Sequence, residues 1–175
     1  MSGEPAAEPL VLGIDPALRV CGWGLVRGGP RPAFVACGAI RPDPKQAPAK
    51  RLLALFEGVA AVIGTYGPDE LAVEDPFVGQ LQPASALAIG QARAAAVLAA
   101  AARGLEVEFY APAAVKAAVS GYGRGDKRQV QAMVRLLLGL QLPPEPLDAA
   151  DALAVAICHL NLRRARRMER TAGRR

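Results

Sequence analysis

Four of the sixteen acidic residues stand where solvated carboxylates seldom stand. Asp15 follows Val11-Leu12-Gly13-Ile14, and Glu74 follows Leu71-Ala72-Val73, so each ends a run apolar enough to lie in the middle of a sheet. A carboxylate left unpaired there is costly or stays protonated. Asp148 and Asp151, in Asp148-Ala149-Ala150-Asp151, are spaced i and i+3 and share one face of a helix's first turn. Taken alone, Asp148 reads as an N-cap and Asp151 as a first-turn acid favoured by the helix dipole. Alanines at 149, 150 and 152 nevertheless let that helix approach a sheet closely enough for the pair to face Asp15 and Glu74. Asp43, Glu57, Asp69, Glu106 and Glu145 sit in ordinary solvated settings and receive no role.

The chemistry such a quartet suits is that of hard divalent cations. Four carboxylates balance two Mg²⁺ ions, which take oxygen ligands and complete their shells with water and substrate phosphate. Two such ions about 4 Å apart would activate an attacking water and stabilise the leaving oxygen of a phosphodiester. Mn²⁺ is an acceptable substitute on the same ligands. No softer donor set competes: His159 is the only histidine and lies about 80° round a helix from Asp151, as a packing or surface residue. Cys21, Cys37 and Cys158 are far apart among small or apolar neighbours, which is neither a disulfide framework nor a zinc spacing.

The elements that must position these groups follow from periodicity. Leu10 to Ile14, Gly22 to Val26 and Ala33 to Ile40 are apolar runs with connections too short for a parallel return, so the chain opens as an antiparallel meander. A helix over Ala47 to Ile63, stopped by Gly64 and Gly67-Pro68, leads to a strand over Glu70 to Glu74. Pro83 to Arg103 is a long alanine-rich helix, Glu106 to Tyr110 a strand and Pro112 to Val119 a short helix. This alternation implies parallel additions to the sheet. Asp126 caps a helix with a buried stripe of Val130, Met133, Val134, Leu137 and Leu138, ended by Gly139. The last helix runs from Asp148 to about Arg164. The expected fold is α/β: a mixed five-stranded sheet, three antiparallel strands and then parallel ones, flanked by helices.

At 175 residues, just over half of them apolar, one domain is expected, over residues 10–162, between a flexible segment 1–9 and a basic tail 163–175. No apolar run approaches bilayer length and the acidic start is no signal sequence, so the reading is cytoplasmic, with no membrane contact. The net charge of +5 is concentrated in that tail, where seven arginines face Glu169 alone; the rest is close to neutral and says little about partners. The tail is either an arm touching phosphate backbones or a solubilising end. The helix over 83–103 is apolar nearly all round, with Leu87, Ile89, Val97 and Leu98. One face must cover the sheet, and the other predicts a homodimer.

The ordered motifs resemble those of the RuvC Holliday-junction resolvases. They are Gly13-Ile14-Asp15-Pro16 with Gly22-Trp23-Gly24, Val73-Glu74 with Phe77, Ser85-Ala86-Leu87 through Gly90-Gln91-Ala92-Arg93, Val115-Lys116, Lys127 with Gln129-Val130-Gln131, and Asp148 through Ala154. The resemblance spans about residues 10–160. It implies a ribonuclease-H-like fold and a homodimeric, Mg²⁺-dependent endonuclease that resolves four-way junction DNA by paired symmetric nicks in recombination and repair. It implies a partnership with a RuvA–RuvB branch-migration complex, and makes Asp15, Glu74, Asp148 and Asp151 the catalytic metal ligands. It makes Phe77 an aromatic stacked on a splayed base and Lys116 and Lys127 phosphate contacts, an edge that Arg124 and Arg128 would extend. The chain departs from the family pattern at Ala17-Leu18, Cys21 and Gln80-Leu81-Gln82. A junction-binding protein without turnover and an actin-like kinase or ATPase are the other classes weighed. Intact carboxylates oppose the first, and the short chain without a second phosphate loop opposes the second.

Overall fold

Strand β1 (Leu10–Asp15) pairs antiparallel with β2 (Cys21–Arg27), and β2 with β3 (Ala33–Ile40) across a register shift at Leu25/Val26. Helix α1 (Pro48–Tyr66) then carries the chain back over the sheet, so β4 (Glu70–Glu74) returns parallel to β1. Helix α2 (Pro83–Ala101) makes a second crossover to β5 (Glu106–Tyr110), parallel to β4. Helices α3 (Pro112–Ser120), α4 (Lys127–Leu137) and α5 (Leu147–Ala172) complete the chain. This computed structural model describes residues 8–75, 82–121 and 126–172. The strand order is β3-β2-β1-β4-β5, the expected mixed sheet.

Strand alternation divides the core into two layers. Leu10, Leu12, Ile14, Leu25, Leu71 and Val73 point to one face, where Leu55, Val59 and Ile63 of α1 and the buried alanines of α2 cover them. Val11, Val26 and Ala72 point to the other, under Val115, Val119, Val130 and Val134 and the stretch Leu153 to Cys158 of α5. The cysteines are free; Cys21 and Cys158 are buried and Cys37 half-buried, in line with packing roles.

Several expectations are corrected. Gly64 lies inside α1; the helix ends at Gly67, whose φ of 57° is left-handed and whose N–H closes onto Ile63. α2 stops at Ala101 rather than Arg103. Leu137 is not buried: it shares the face of Val130 and Val134 but, at the end of α4, is 39% exposed. By length and composition α2 could cross a bilayer, contrary to the sequence expectation, but Arg93 at its middle pairs with Asp75 and Ala92, Ala95, Ala96, Ala99 and Ala100 are buried in the core. Pro9 is buried rather than part of a loose leader, and its carbonyl accepts from Gly28 N–H at 2.8 Å. α5 runs to Ala172, eight residues past Arg164, so most of the presumed tail is helix. Its sequence holds no glycine or proline from 147 to 172, and Arg163 and Arg166 pair with Glu70 and Glu108 on the sheet.

Candidate active site

Asp15 and Glu74 are the last residues of β1 and β4, neighbouring parallel strands whose register pairs Ile14 with Val73 immediately before them. The convergence expected of the two strand ends is therefore present. Alternation turns both side chains to the face under α5, since Val11 and Ala72 point there. Asp148 and Asp151 occupy the first turn of α5. The helix begins at Leu147, so Asp148 is inside it rather than its N-cap.

Close approach between helix and sheet is what brings the two pairs together. The small residues of α5 were expected to permit it; the sheet contributes glycines at alternate positions. A Cβ added at Gly13 would lie 2.0 Å from the Ala152 carbonyl oxygen, and one at Gly22 would lie 1.9 Å from that of Asp148. At Gly24 it would strike Leu153 Cγ at 2.6 Å. Helix backbone thus rests directly on strand backbone, and any side chain at these positions would lift the Asp148–Asp151 turn off the strand ends. The turn from β1 to β2 is tied down from the other face, where Arg51 Nη2 of α1 donates to the Leu18 carbonyl at 2.8 Å. Leu18, one of the family departures, packs on the core beneath it.

Electrostatics report the same convergence. Burial raises Asp15 from 3.8 to about 7, helped by the negative charges of Glu74, Asp151 and Asp148 and opposed by Lys127. Burial likewise raises Glu74, with Asp151 adding to the shift while Lys127 and Lys116 oppose it. Lys127 Nζ donates to Asp151 Oδ2 at 2.8 Å. Burial works against its charge, but that hydrogen bond and the neighbouring Asp151, Asp15 and Asp148 outweigh it, and its pKa is raised. The lysine is placed by α4, whose N-cap Asp126 accepts from Gln129 N–H at 2.8 Å. Lys116 comes from α3, half-buried.

Asp15 therefore feels the other three carboxylates and Lys127, and Lys116 joins them through Glu74. Arg128 is exposed and is not among the charges acting on Asp15 or Glu74. Phe77 and Arg124 lie outside the described residues. Cys21 sits beside the site, yet burial, with Asp15 and Asp148 near, pushes its thiol up to about 12, so it remains neutral.

The donor set is carboxylate oxygen throughout, which fits Mg²⁺ or Mn²⁺ and not a thiophilic metal. Among the described residues no three acidic, histidine or cysteine side chains are already gathered into a metal cage. Burial, with the negative charge of Glu74, Asp151 and Asp148 added to it, holds a proton on Asp15 near neutrality, and a divalent cation would relieve that charge.

Sequence reasoning passed over three supports. Gly13, Gly22 and Gly24 carried a usable signal, glycines at alternate positions of apolar strands. Asp75, next to Glu74, pairs with Arg93 of α2, whose guanidinium also lies 5.8 Å from the Phe109 ring centre. His159 is buried, as a packing residue should be, but is polar-bonded at both nitrogens: Nε2 is 2.5 Å from Glu70 Oε2 and Nδ1 is 2.9 Å from the Tyr110 hydroxyl.

Comparison with known proteins shows the family. Residues 11–159 match the family model described as crossover junction endodeoxyribonuclease RuvC. The RuvC of Heliobacterium modesticaldum is 49% identical over 150 residues, covering 85% of this chain and 92% of that one. The RuvC of Rhodopseudomonas palustris is 46% identical over 165 residues, covering 93% and 94%. Among solved structures, Thermus thermophilus RuvC in complex with a Holliday junction substrate superposes with a TM-score of 0.83 at 33% identity, covering 90% of this chain and 96% of that one. The yeast mitochondrial Holliday junction resolvase, 13% identical with a TM-score of 0.63 over 89% and 78%, shares the fold. By the family model and by these relatives, the chain belongs to the crossover junction endodeoxyribonuclease RuvC family.

Proposed function

We propose that this protein resolves Holliday junctions during DNA recombination and repair, cutting phosphodiesters at the Asp15, Glu74, Asp148 and Asp151 site with two Mg²⁺ ions per subunit. The observation that carries the reading is the mutual charge coupling of two strand-end and two helix-start carboxylates from distant parts of the chain. When bound, the ions supply an activated water and stabilise the leaving oxygen. The protein's own groups do the rest. The four carboxylates would hold the ions, Asp15 among them in its ionised form. Lys127 exchanges its contact with Asp151 for the phosphate next to the cut, and Lys116 holds the strand nearby. Phe77, three residues past Glu74, stacks on an unpaired base in this reading.

Paired nicks need two sites, hence a homodimer. The exposed face of α2 supports one: Leu87, Ala94, Leu98 and Ala101 form an apolar stripe, with Leu87 64% and Leu98 61% exposed. Delivery to the junction by a RuvA–RuvB complex completes the proposal.

The test is nicking of a synthetic four-way junction. Asp15→Asn is expected to bind the junction with unchanged affinity and to cut it at least about a thousandfold more slowly in Mg²⁺. Cutting at the parental rate would overturn the metal-site assignment.

A further inference from the structure

At the end of the sheet away from the carboxylates, α5 and the β2–β3 hairpin enclose a cavity of about 690 Å³, a size typical of ligand-binding clefts. Its floor is apolar and rigid. Pro9, Pro30 and Pro32 have fixed φ and no N–H to satisfy, and Leu160 and Met168 close the floor from the helix. The mouth is cationic, with Arg163, Arg164 and Arg167 among the lining residues against Glu8. Arg163 is held in place: its Nη2 lies 3.0 Å from Glu70 Oε1, and the other Glu70 oxygen meets His159, which in turn meets Tyr110. Met168, four residues from Arg164 and so on the same helix face, is 57% exposed. The wall exists only because α5 continues to Ala172.

Two kinds of partner compete for such a surface. A phosphate backbone would engage the guanidiniums and leave the apolar floor in water. A peptide that joins carboxylates to one large apolar side chain uses both halves, the guanidiniums as charge-assisted donors and the floor as an anchor pocket. We propose that this groove docks an acidic segment of a partner protein, its anchoring aromatic or branched aliphatic side chain seated between Met168, Leu160 and the prolines. The groove is remote from the carboxylate site, so the partner and a junction can be held together.

The experiment is fluorescence anisotropy on the full chain with a fluorescein-labelled peptide of four aspartates followed by isoleucine and phenylalanine. Saturable micromolar binding is expected, weakened at least about tenfold by Arg164→Glu, and as much by alanine in place of the peptide's phenylalanine. Both side chains in question are on the surface; Met168→Asp, which leaves every arginine in place, is a second variant expected to weaken binding. Binding insensitive to all three changes overturns the proposal. Displacement of the peptide by short duplex DNA would assign the arginines to phosphate backbones and overturn it equally. So would binding only to a chain lacking residues 1–7, since the groove would then belong to the chain's own leading segment.

Discussion

Gly22→Ala isolates the link between backbone packing and catalysis, because it adds one methyl group to a residue that takes no part in the chemistry. That methyl would lie 1.9 Å from the Asp148 carbonyl oxygen and 2.4 Å from the carbonyl carbon. Both obstacles are backbone, so no side chain can swing aside. Relief to even 3.0 Å requires the first turn of α5 to retreat by about 1 Å, carrying Asp148 with it. Overpacking of this kind costs about 2 kcal/mol, which lowers the melting temperature of a chain this size by roughly 4–8 °C. A displacement of about 1 Å at a catalytic group costs on the order of a hundredfold in rate. The expected outcome is a folded variant, seen by circular dichroism and a cooperative melt, that binds a four-way junction but nicks it about a hundredfold more slowly in single-turnover assays. A variant that melts and cuts like the parent would refute the claim that direct backbone contact sets the site.

The remaining predictions concern charge, the far end of α5 and assembly. Asp15 holds its proton more tightly folded, at about 7, than unfolded, at 3.8, so unfolding releases a proton between these values and metal-free stability falls as pH rises through them. Melting in EDTA is expected to drop by several degrees from pH 5 to pH 8, and Asp15→Asn to flatten the profile; an equally steep profile in the variant would refute the assignment. Lys127→Ala should slow nicking by about tenfold or more and lower the metal-free melt by a few degrees, because it leaves Asp151, whose side chain is only 17% exposed, without its cation. His159→Ala removes a buried partner of Glu70 and Tyr110 and should cost about 2–4 kcal/mol in urea unfolding and slow nicking by the folded fraction, since the helix axis is then free to tilt; a parental rate would refute a role for the far anchor in the site. Leu87→Glu with Leu98→Glu should turn a dimer into a monomer in light scattering, and a dimer that survives both changes moves the interface off α2.

How much of this was legible in the sequence depends on the range of the interaction involved. Strand and helix identities were readable because they follow local periodicity, and Asp15 and Glu74 were readable because a carboxylate closing an apolar run is anomalous on its own. Asp148 and Asp151 were ambiguous for the opposite reason. First-turn acids suit any helix, and only the packing of α5 against β1 and β2 gives them another role. The closeness of that packing was half read, from the alanines of the helix, while the facing glycines went unweighed. The end of α5 was misplaced because a run of arginines resembles a solvated tail. What keeps it helical includes pairing with Glu70 and Glu108, residues 93 and 58 positions away in sequence from Arg163 and Arg166. No local pattern encodes such pairs.

The two ends of α5 impose opposite demands on one rigid element. At its start the helix must bury Asp15 and Glu74 and bring two further carboxylates toward them, which raises both and destabilises the metal-free fold at neutral pH. That repulsion would be relieved if the turn lifted away, and three constraints oppose the lift. Leu153 to Cys158 are buried against the sheet in the next turns, Lys127 neutralises Asp151, and further along Glu70 binds His159 and Arg163 together. The far anchor is therefore part of the catalytic design without touching the substrate: it fixes the axis along which the near end is held. A helix pinned only at its first turn could relax its charges by tilting, whereas one pinned on the sheet over three further turns can relax them only by taking up protons or cations. The glycine seam, the buried histidine and the raised aspartate are in this sense one arrangement, in which the proposed cations would be the least costly relief of the charge that folding creates.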